Sequence, residues 1–212
     1  MNETPNSAKS PFGLHFGRLG PGSVHLCVDM QSLFAEPTPW HTPWMKRVLP
    51  AVEALARRHA GETVFTRFIP PARADRLPGS WQRYYRRWRE MTRDEIDPHL
   101  LEIVPTLASL VPPATVIDKR VYSPFVEPGL LGHLRARRAD TLVISGAETD
   151  VCVLAAVLGA VDLGYRVVIA ADAVCSSNDT THDALLTLFQ SRFSEQIEIA
   201  DCETILAHWP AN

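Results

Sequence analysis

Three polar residues stand where apolar, β-rich runs of this chain end. Asp29 follows Val24-His-Leu-Cys-Val28, Lys119 closes Thr115-Val-Ile-Asp118, and Cys152 follows Thr141-Leu-Val-Ile-Ser145 across a short turn. An acid beside a thiol can accept its proton, and a lysine nearby steadies both anions, so the set is suited to nucleophilic chemistry. The stretch Leu142–Cys152 runs a buried strand through Gly146 into a helix whose first turn carries the cysteine. Free amides at a helix start and the positive end of its dipole favour thiolate, which predicts a lowered pKa for Cys152. Each residue also has a purely structural reading: a turn-capping aspartate, a strand-end lysine, a cysteine packed as a small apolar group. Their occurrence at corresponding strand ends is what favours chemistry.

The elements that would position them alternate along the chain. Strands are expected at 24–28, 63–66, 115–118, 141–145, 166–170 and 196–200, the last with a polar alternation suited to a sheet edge. Helical patterns fall at 45–59, 127–137, 150–163 and 181–191, with Gly61 and Gly164 where C-caps belong and Pro50 interrupting the first. Such alternation implies βαβ units and a parallel sheet covered on both faces. The fold class is therefore a three-layer α/β/α Rossmann-like fold with six parallel strands. In a 3-2-1-4-5-6 order, the first, third and fourth strands would bring the three groups into one crevice at the sheet's carboxyl edge.

A chain of 212 residues reads as a single domain over 1–212, with about residues 1–22 a flexible arm. A net charge of −3 exerts no general pull on nucleic acid or anionic membrane, and no apolar run reaches the ~18 residues of a membrane span. Cys27, Cys152, Cys175 and Cys202 are far apart and form no CxxC pair, so a reducing cytoplasm is the expected location. Trp81, Tyr84, Tyr85 and Trp88 fall on one helical face, with Arg83, Arg86, Arg87 and Arg89 around the others. Interleaved arginines and aromatics occur in single-strand nucleic-acid binders. An amphipathic helix packed on the core or on a partner subunit accounts for the pattern better in an acidic chain, and a homo-oligomer, dimer or tetramer, is expected.

Cys27-Val-Asp29-Met-Gln31-Ser-Leu-Phe34, Asp118-Lys119-Arg-Val-Tyr122-Ser-Pro-Phe125 and Gly146-Ala-Glu148-Thr-Asp-Val-Cys152-Val resemble the three sequence blocks of the isochorismatase-like cysteine hydrolases, in order and over about residues 23–207. The resemblance implies a catalytic triad of Asp29, Lys119 and Cys152, with backbone N–H groups of Glu148 and Cys152 forming the oxyanion hole. Such donors contribute about 10²–10³ in rate. It also implies a cis peptide at Ala147–Glu148. Glu148 departs from the small or apolar residue usual there, and its carboxylate is expected to turn outward into a salt bridge. Retention of Cys152 argues for C–N hydrolysis of a small amide, ureido or carbamoyl compound, since isochorismatases generally lack that cysteine.

Nicotinamidases of this family hold a divalent metal through an Asp-x-His pair after the second strand. Phe65-Thr-Arg-Phe-Ile-Pro-Pro71 contains neither residue, so no metal and no cofactor is expected. Gln31, Phe34, Arg67, Trp81, Tyr84, Tyr122 and Phe125 are the candidate substrate contacts, with Arg67 able to clamp a carboxylate or serve in a structural ion pair. His182 reads as a helix-start residue and Asp172 as a brace for the loop after the fifth strand. Two other readings stay open: a thiol redox protein using a low-pKa Cys152, with Cys175 on the next strand as the thiol able to approach it, and a non-catalytic binding member of the fold.

Overall fold

A computed structural model describes residues 12–75 and 77–211. Six strands, β1 (Ser23–Val28), β2 (Thr63–Phe68), β3 (Thr115–Lys119), β4 (Thr141–Ala147), β5 (Arg166–Cys175) and β6 (Ile197–Ala200), form one parallel sheet in the order β3-β2-β1-β4-β5-β6. The helices are α1 (Ser32–Ala35), α2 (Met45–Arg58), α3 (Gly79–Arg87), α4 (Pro105–Ala108), α5 (Pro128–Ala136), α6 (Leu154–Asp162), α7 (Asp179–Arg192) and α8 (Cys202–His208). Both the α/β class and the strand order match the sequence expectation.

Two-sided burial explains why the strands are apolar almost without interruption. Val24, Leu26, Val28, Leu142 and Ile144 pack with α5, α6 and α7, while Cys27, Phe65, Val143 and Val168 pack with α2 and α8. Each such aliphatic side chain contributes roughly 1.5–3 kcal/mol by leaving water. In α2, Met45, Val48, Val52, Leu55 and Ala56 form the buried stripe. The helix continues through Pro50 because Pro50 and Lys46, whose carbonyl loses its partner, both lie on the exposed side.

Three expectations change. Residues 12–22 of the presumed arm are docked rather than free, and residues 1–11 lie outside the described residues. Gly13 N–H donates to the Ile199 carbonyl at 2.8 Å, Leu19 N–H donates to His208 at 3.0 Å, and Arg166 donates to the Gly17 carbonyl at 2.8 Å. Glu198, read as the polar side of an edge strand, is 1% exposed; its carboxylate accepts from Arg166 Nε at 2.7 Å and from the His15 and Phe16 amides. The docked segment is what removes Glu198 from water. Finally, the expected helix at 150–163 begins as a π-helical turn, Thr149–Val153, before α6 proper.

The close approach of β1 and β4 depends on Gly146, paired with Val28 in the sheet register. Its φ is +107°, and a Cβ there would lie 2.0 Å from the Val28 carbonyl oxygen. Gly146→Ala therefore combines a disfavoured backbone with a clash against main chain. A loss of about 3 kcal/mol of stability is expected from urea unfolding midpoints; a variant as stable as the parent would refute this account of the β1–β4 contact.

Candidate active site

The carboxyl ends of three strands deliver the polar groups, and the register shows how. Asp29 follows the last residue of β1 and adopts φ 50°, which turns the chain out of the sheet. Its amide is 3.2 Å from the Thr66 carbonyl, and its Oδ1 accepts from Thr66 Oγ1 at 2.6 Å. Lys119 ends β3, opposite Phe68 of β2. Its side chain crosses the end of β2, with Nζ 4.9 Å from the Phe68 ring centroid and 2.7 Å from Asp29 Oδ2. Cys152 arrives from β4 through the turn Thr149–Val153, and Lys119 Nζ donates to its Sγ at 3.3 Å. Asp29, Lys119 and Cys152 are 0%, 1% and 6% exposed. The sequence expectation that they meet is met by the geometry.

The turn carrying Cys152 is fastened from outside. Asp150 accepts from Ser176 Oγ at 2.7 Å and from Thr181 Oγ1, and Thr149 Oγ1 lies 2.8 Å from His182 Nδ1. His182 sits in the first turn of α7, as expected, and Asn178 caps that helix by accepting from Thr181 N–H at 3.0 Å. Asp172 belongs to β5 itself and accepts from the Cys202 amide at 2.9 Å, so it braces α8 rather than the following loop. The Ala147–Glu148 peptide is cis. Among the described residues the Glu148 carboxylate takes no part in an outward salt bridge; its Oε1 accepts from Ser177 N–H at 2.9 Å at the rim of the site.

Electrostatics correct one expectation. Burial pushes the Cys152 thiol well above the ordinary cysteine range, and the Asp29 carboxylate adds to this, while Lys119 opposes it. The helix-start effect does not produce a resting thiolate: desolvation of a nearly enclosed sulfur outweighs it. Burial also disfavours the Lys119 ammonium, yet Asp29 and the sulfur more than offset that and hold its pKa above the usual lysine value. Cys27 and Cys175 are raised by burial to about 12. Burial thus works against the low-pKa thiol that a redox role would use.

Above Cys152 opens a cavity of about 420 Å³. Its walls are largely aromatic: Phe34, Trp40, Phe68, Tyr84, Trp88 and Tyr122, with Glu148 and Ser177 at one side. Trp40 is the hub, its ring centroid 6.1–6.4 Å from those of Phe34, Phe68, Tyr84, Tyr85 and Trp88. The stripe on α3 therefore packs against its own chain: Tyr85 is buried, and Tyr84 and Trp88 face the cavity. Trp81 stands one layer back, 5.0 Å from Tyr122, in an adjoining depression with Arg83 and Arg87.

Of the seven candidate contacts, Phe34, Tyr84 and Tyr122 line the cavity, and the other four, Trp81 among them, do not. Gln31 is fully buried as a bracket between loops, donating to the Phe68 and Leu101 carbonyls and accepting from Phe68 N–H. Arg67 takes the structural alternative, with Nε 2.8 Å from Asp118 and Nη1 2.9 Å from Glu102. Its β-strand position points it across to β3, where a carboxylate already waits. Phe125 packs on the α6 backbone at Gly159 and stacks 6.4 Å from Tyr165. Trp40, Phe68 and Trp88 were missed as cavity residues. Phe68 and Trp88 were visible as a strand end and a stripe member; Trp40, in a proline-rich loop, carried no periodic signal.

No group of three or more His, Cys, Asp or Glu side chains among the described residues could hold a metal ion. The causes of the thiol shift give a testable consequence. Removing the cation that favours thiolate should raise the Cys152 pKa further, and removing the anion that opposes it should lower it. The pH profile of iodoacetamide labelling, read by peptide mass spectrometry, should move upward in Lys119→Met and downward in Asp29→Asn. Movement in the same direction would refute the assignment of these two influences.

Comparison with known proteins adds an independent line. The isochorismatase domain family model matches residues 23–201. Maleamate amidohydrolase from Pseudomonas putida is 26% identical over 216 aligned residues, covering 98% of this chain and 99% of that protein. The crystal structure of a cysteine hydrolase from Pseudomonas syringae pv. phaseolicola superposes with a TM-score of 0.73 at 22% identity, over 91% of this chain and 96% of that one. A pyrazinamidase of Pyrococcus horikoshii, solved in complex with zinc, gives a TM-score of 0.67 at 22% identity, over 85% and 99%.

Proposed function

The chain belongs to the isochorismatase family, and on that footing we propose that it is a metal-independent cysteine amidohydrolase that cleaves a C–N bond of a small molecule. The observation that carries the reading is the buried contact set of Asp29, Lys119 and Cys152 at the floor of an open cavity. Structural packing alone gives no reason to bury an ion pair against a thiol beneath a solvent-connected space.

The chemistry starts from a thiol, because burial and Asp29 keep Cys152 protonated. As Sγ forms its bond to the carbonyl carbon, the thiol proton passes to the Asp29 carboxylate, and Lys119 stabilises the charge that develops on both partners. The oxyanion is received by the backbone N–H groups of Glu148 and Cys152, whose peptides are set by the cis bond at Ala147–Glu148 and the turn that follows. The tetrahedral species collapses as the C–N bond breaks, and Asp29 returns its proton to the leaving nitrogen. Water then adds to the thioester, giving up a proton to Asp29. When the C–S bond breaks, that proton returns to the sulfur, releasing a carboxylic acid and restoring the thiol.

A resident metal is not part of this reading. The stretch 65–71 offers no Asp or His, Asp75 further on has no histidine paired with it, and the described residues assemble no ligand cluster. The zinc reported in the pyrazinamidase relative therefore has no matching donor set here.

Ammonia release from a panel of small amides tests the proposal. Cys152→Ala and Asp29→Asn should each lower kcat by at least about 10³-fold with folding intact by circular dichroism. Chelation by EDTA should leave the rate unchanged. Substantial turnover by Cys152→Ala, or loss on chelation restored by zinc, would overturn it.

A further inference from the structure

The cavity over Cys152 has an unusual charge balance for a site expected to take a small amide acid. Among the described residues, none that lines it is a lysine or arginine. Lys119, beneath its floor, is committed to Asp29 and the cysteine sulfur. Arg67, the cation that the sequence offered for a substrate carboxylate, is held by Asp118 and Glu102. Arg83 and Arg87 belong to the adjoining depression instead. What the cavity does present is the six rings of its Phe, Trp and Tyr residues, the His41 imidazole and one carboxylate, that of Glu148.

Rings arranged around a space, with an anion at its edge, form a binding site for a weakly hydrated cation, because each ring face carries negative electrostatic potential. Two of these rings already take a cation on one face, Phe68 from Lys119 at 4.9 Å and Trp88 from Arg87 at 5.1 Å. Glu148 is half-buried, and its Oε1 is fixed by the Ser177 amide, so its charge is positioned rather than swept through solvent.

We propose that the cavity selects carboxamides bearing a positively charged, alkylated ammonium group, which sits in the box of Trp40, Tyr84, Trp88 and Tyr122 against Glu148 while the amide lies over Cys152. The inference deepens the amidohydrolase reading and relies on it only for the placement of the amide. An anionic amide such as the half-amide of a dicarboxylic acid would meet the Glu148 carboxylate with no lysine or arginine among the described lining residues to receive it.

The test is a set of ligands of nearly equal shape. Glycine betaine amide is cationic, 3,3-dimethylbutanamide is its neutral isostere, and succinamate is the anionic comparison. Binding to Cys152→Ala is read from tryptophan fluorescence, since Trp40 and Trp88 line the cavity. The cationic amide should bind about ten-fold more tightly than the neutral isostere, and succinamate more weakly than either. Glu148→Gln, which keeps an acceptor for Ser177, should reduce the ratio between cationic and neutral ligands several-fold. Equal or tighter binding of the neutral or anionic amide, failure of the cationic one to saturate, or an unchanged ratio in Glu148→Gln would overturn the proposal. If wild-type protein binds the cationic amide yet releases no ammonia from it or from any amide in the panel, amide cleavage fails while the cation site stands.

Discussion

The ion pair between Lys119 and Asp29 sets the terms for the rest of this molecule. Both groups are all but absent from solvent, and removing two charges from water costs several kcal/mol each unless partners are held close. The 2.7 Å contact, the Thr66 hydroxyl on Asp29 and the Cys152 sulfur on Lys119 supply those partners. They do so only if β1, β2 and β3 end in register and β4 lies against β1. The sheet order is therefore the arrangement in which this buried charge is tolerable, as well as a way of covering apolar strands. Gly146, pressed against the Val28 carbonyl, closes the remaining gap.

A nucleophile kept as a thiol has a different character from one kept as a thiolate. A raised Cys152 pKa favours the thiol at rest, and in the proposed reaction the sulfur becomes nucleophilic as its proton passes to Asp29. The same enclosure that suppresses the thiolate also lowers the local dielectric, so every charge interaction made during a reaction is stronger. In the proposed reaction Lys119 serves two anions in turn, the carboxylate at rest and the sulfur during bond formation. The aromatic walls make the space above the floor largely apolar.

Much of this was legible in the sequence because chemistry leaves polar residues in places where packing would not. Asp29, Lys119 and Cys152 each interrupt an apolar run at its carboxyl end, and strand alternation fixed which ends could meet. The cavity walls were less legible. Gln31 and Arg67 have the same types whether they touch a ligand or tie loops together, and only the partners at Phe68, Leu101, Asp118 and Glu102 decide between these. Trp40 lies in a loop without period, so its place at the centre of five rings depends on contacts remote in sequence. The stripe from Trp81 to Trp88 was visible, but the helix ends at Arg87, and the ring at Trp88 turns into the cavity from the cap. The thiol shift was misjudged because a dipole at a helix start can be read from sequence, whereas burial of a single sulfur cannot.

The docked segment ahead of β1 bears on how the protein stays separate from its own copies. β6 is the outer strand of the sheet, and an outer strand offers a row of unpaired amides and carbonyls as a template for another chain. Here the Ile199 carbonyl is taken by the Gly13 amide, and the buried Glu198 carboxylate holds the amides of His15 and Phe16 in front of that strand. The segment works as a selvedge, a finished border along that margin of the sheet. Its attachment combines that carboxylate, shared with Arg166, with main-chain bonds at Gly13, Gly17 and Leu19, so resistance to unwanted strand-to-strand growth along this margin is built from contacts far from the cysteine.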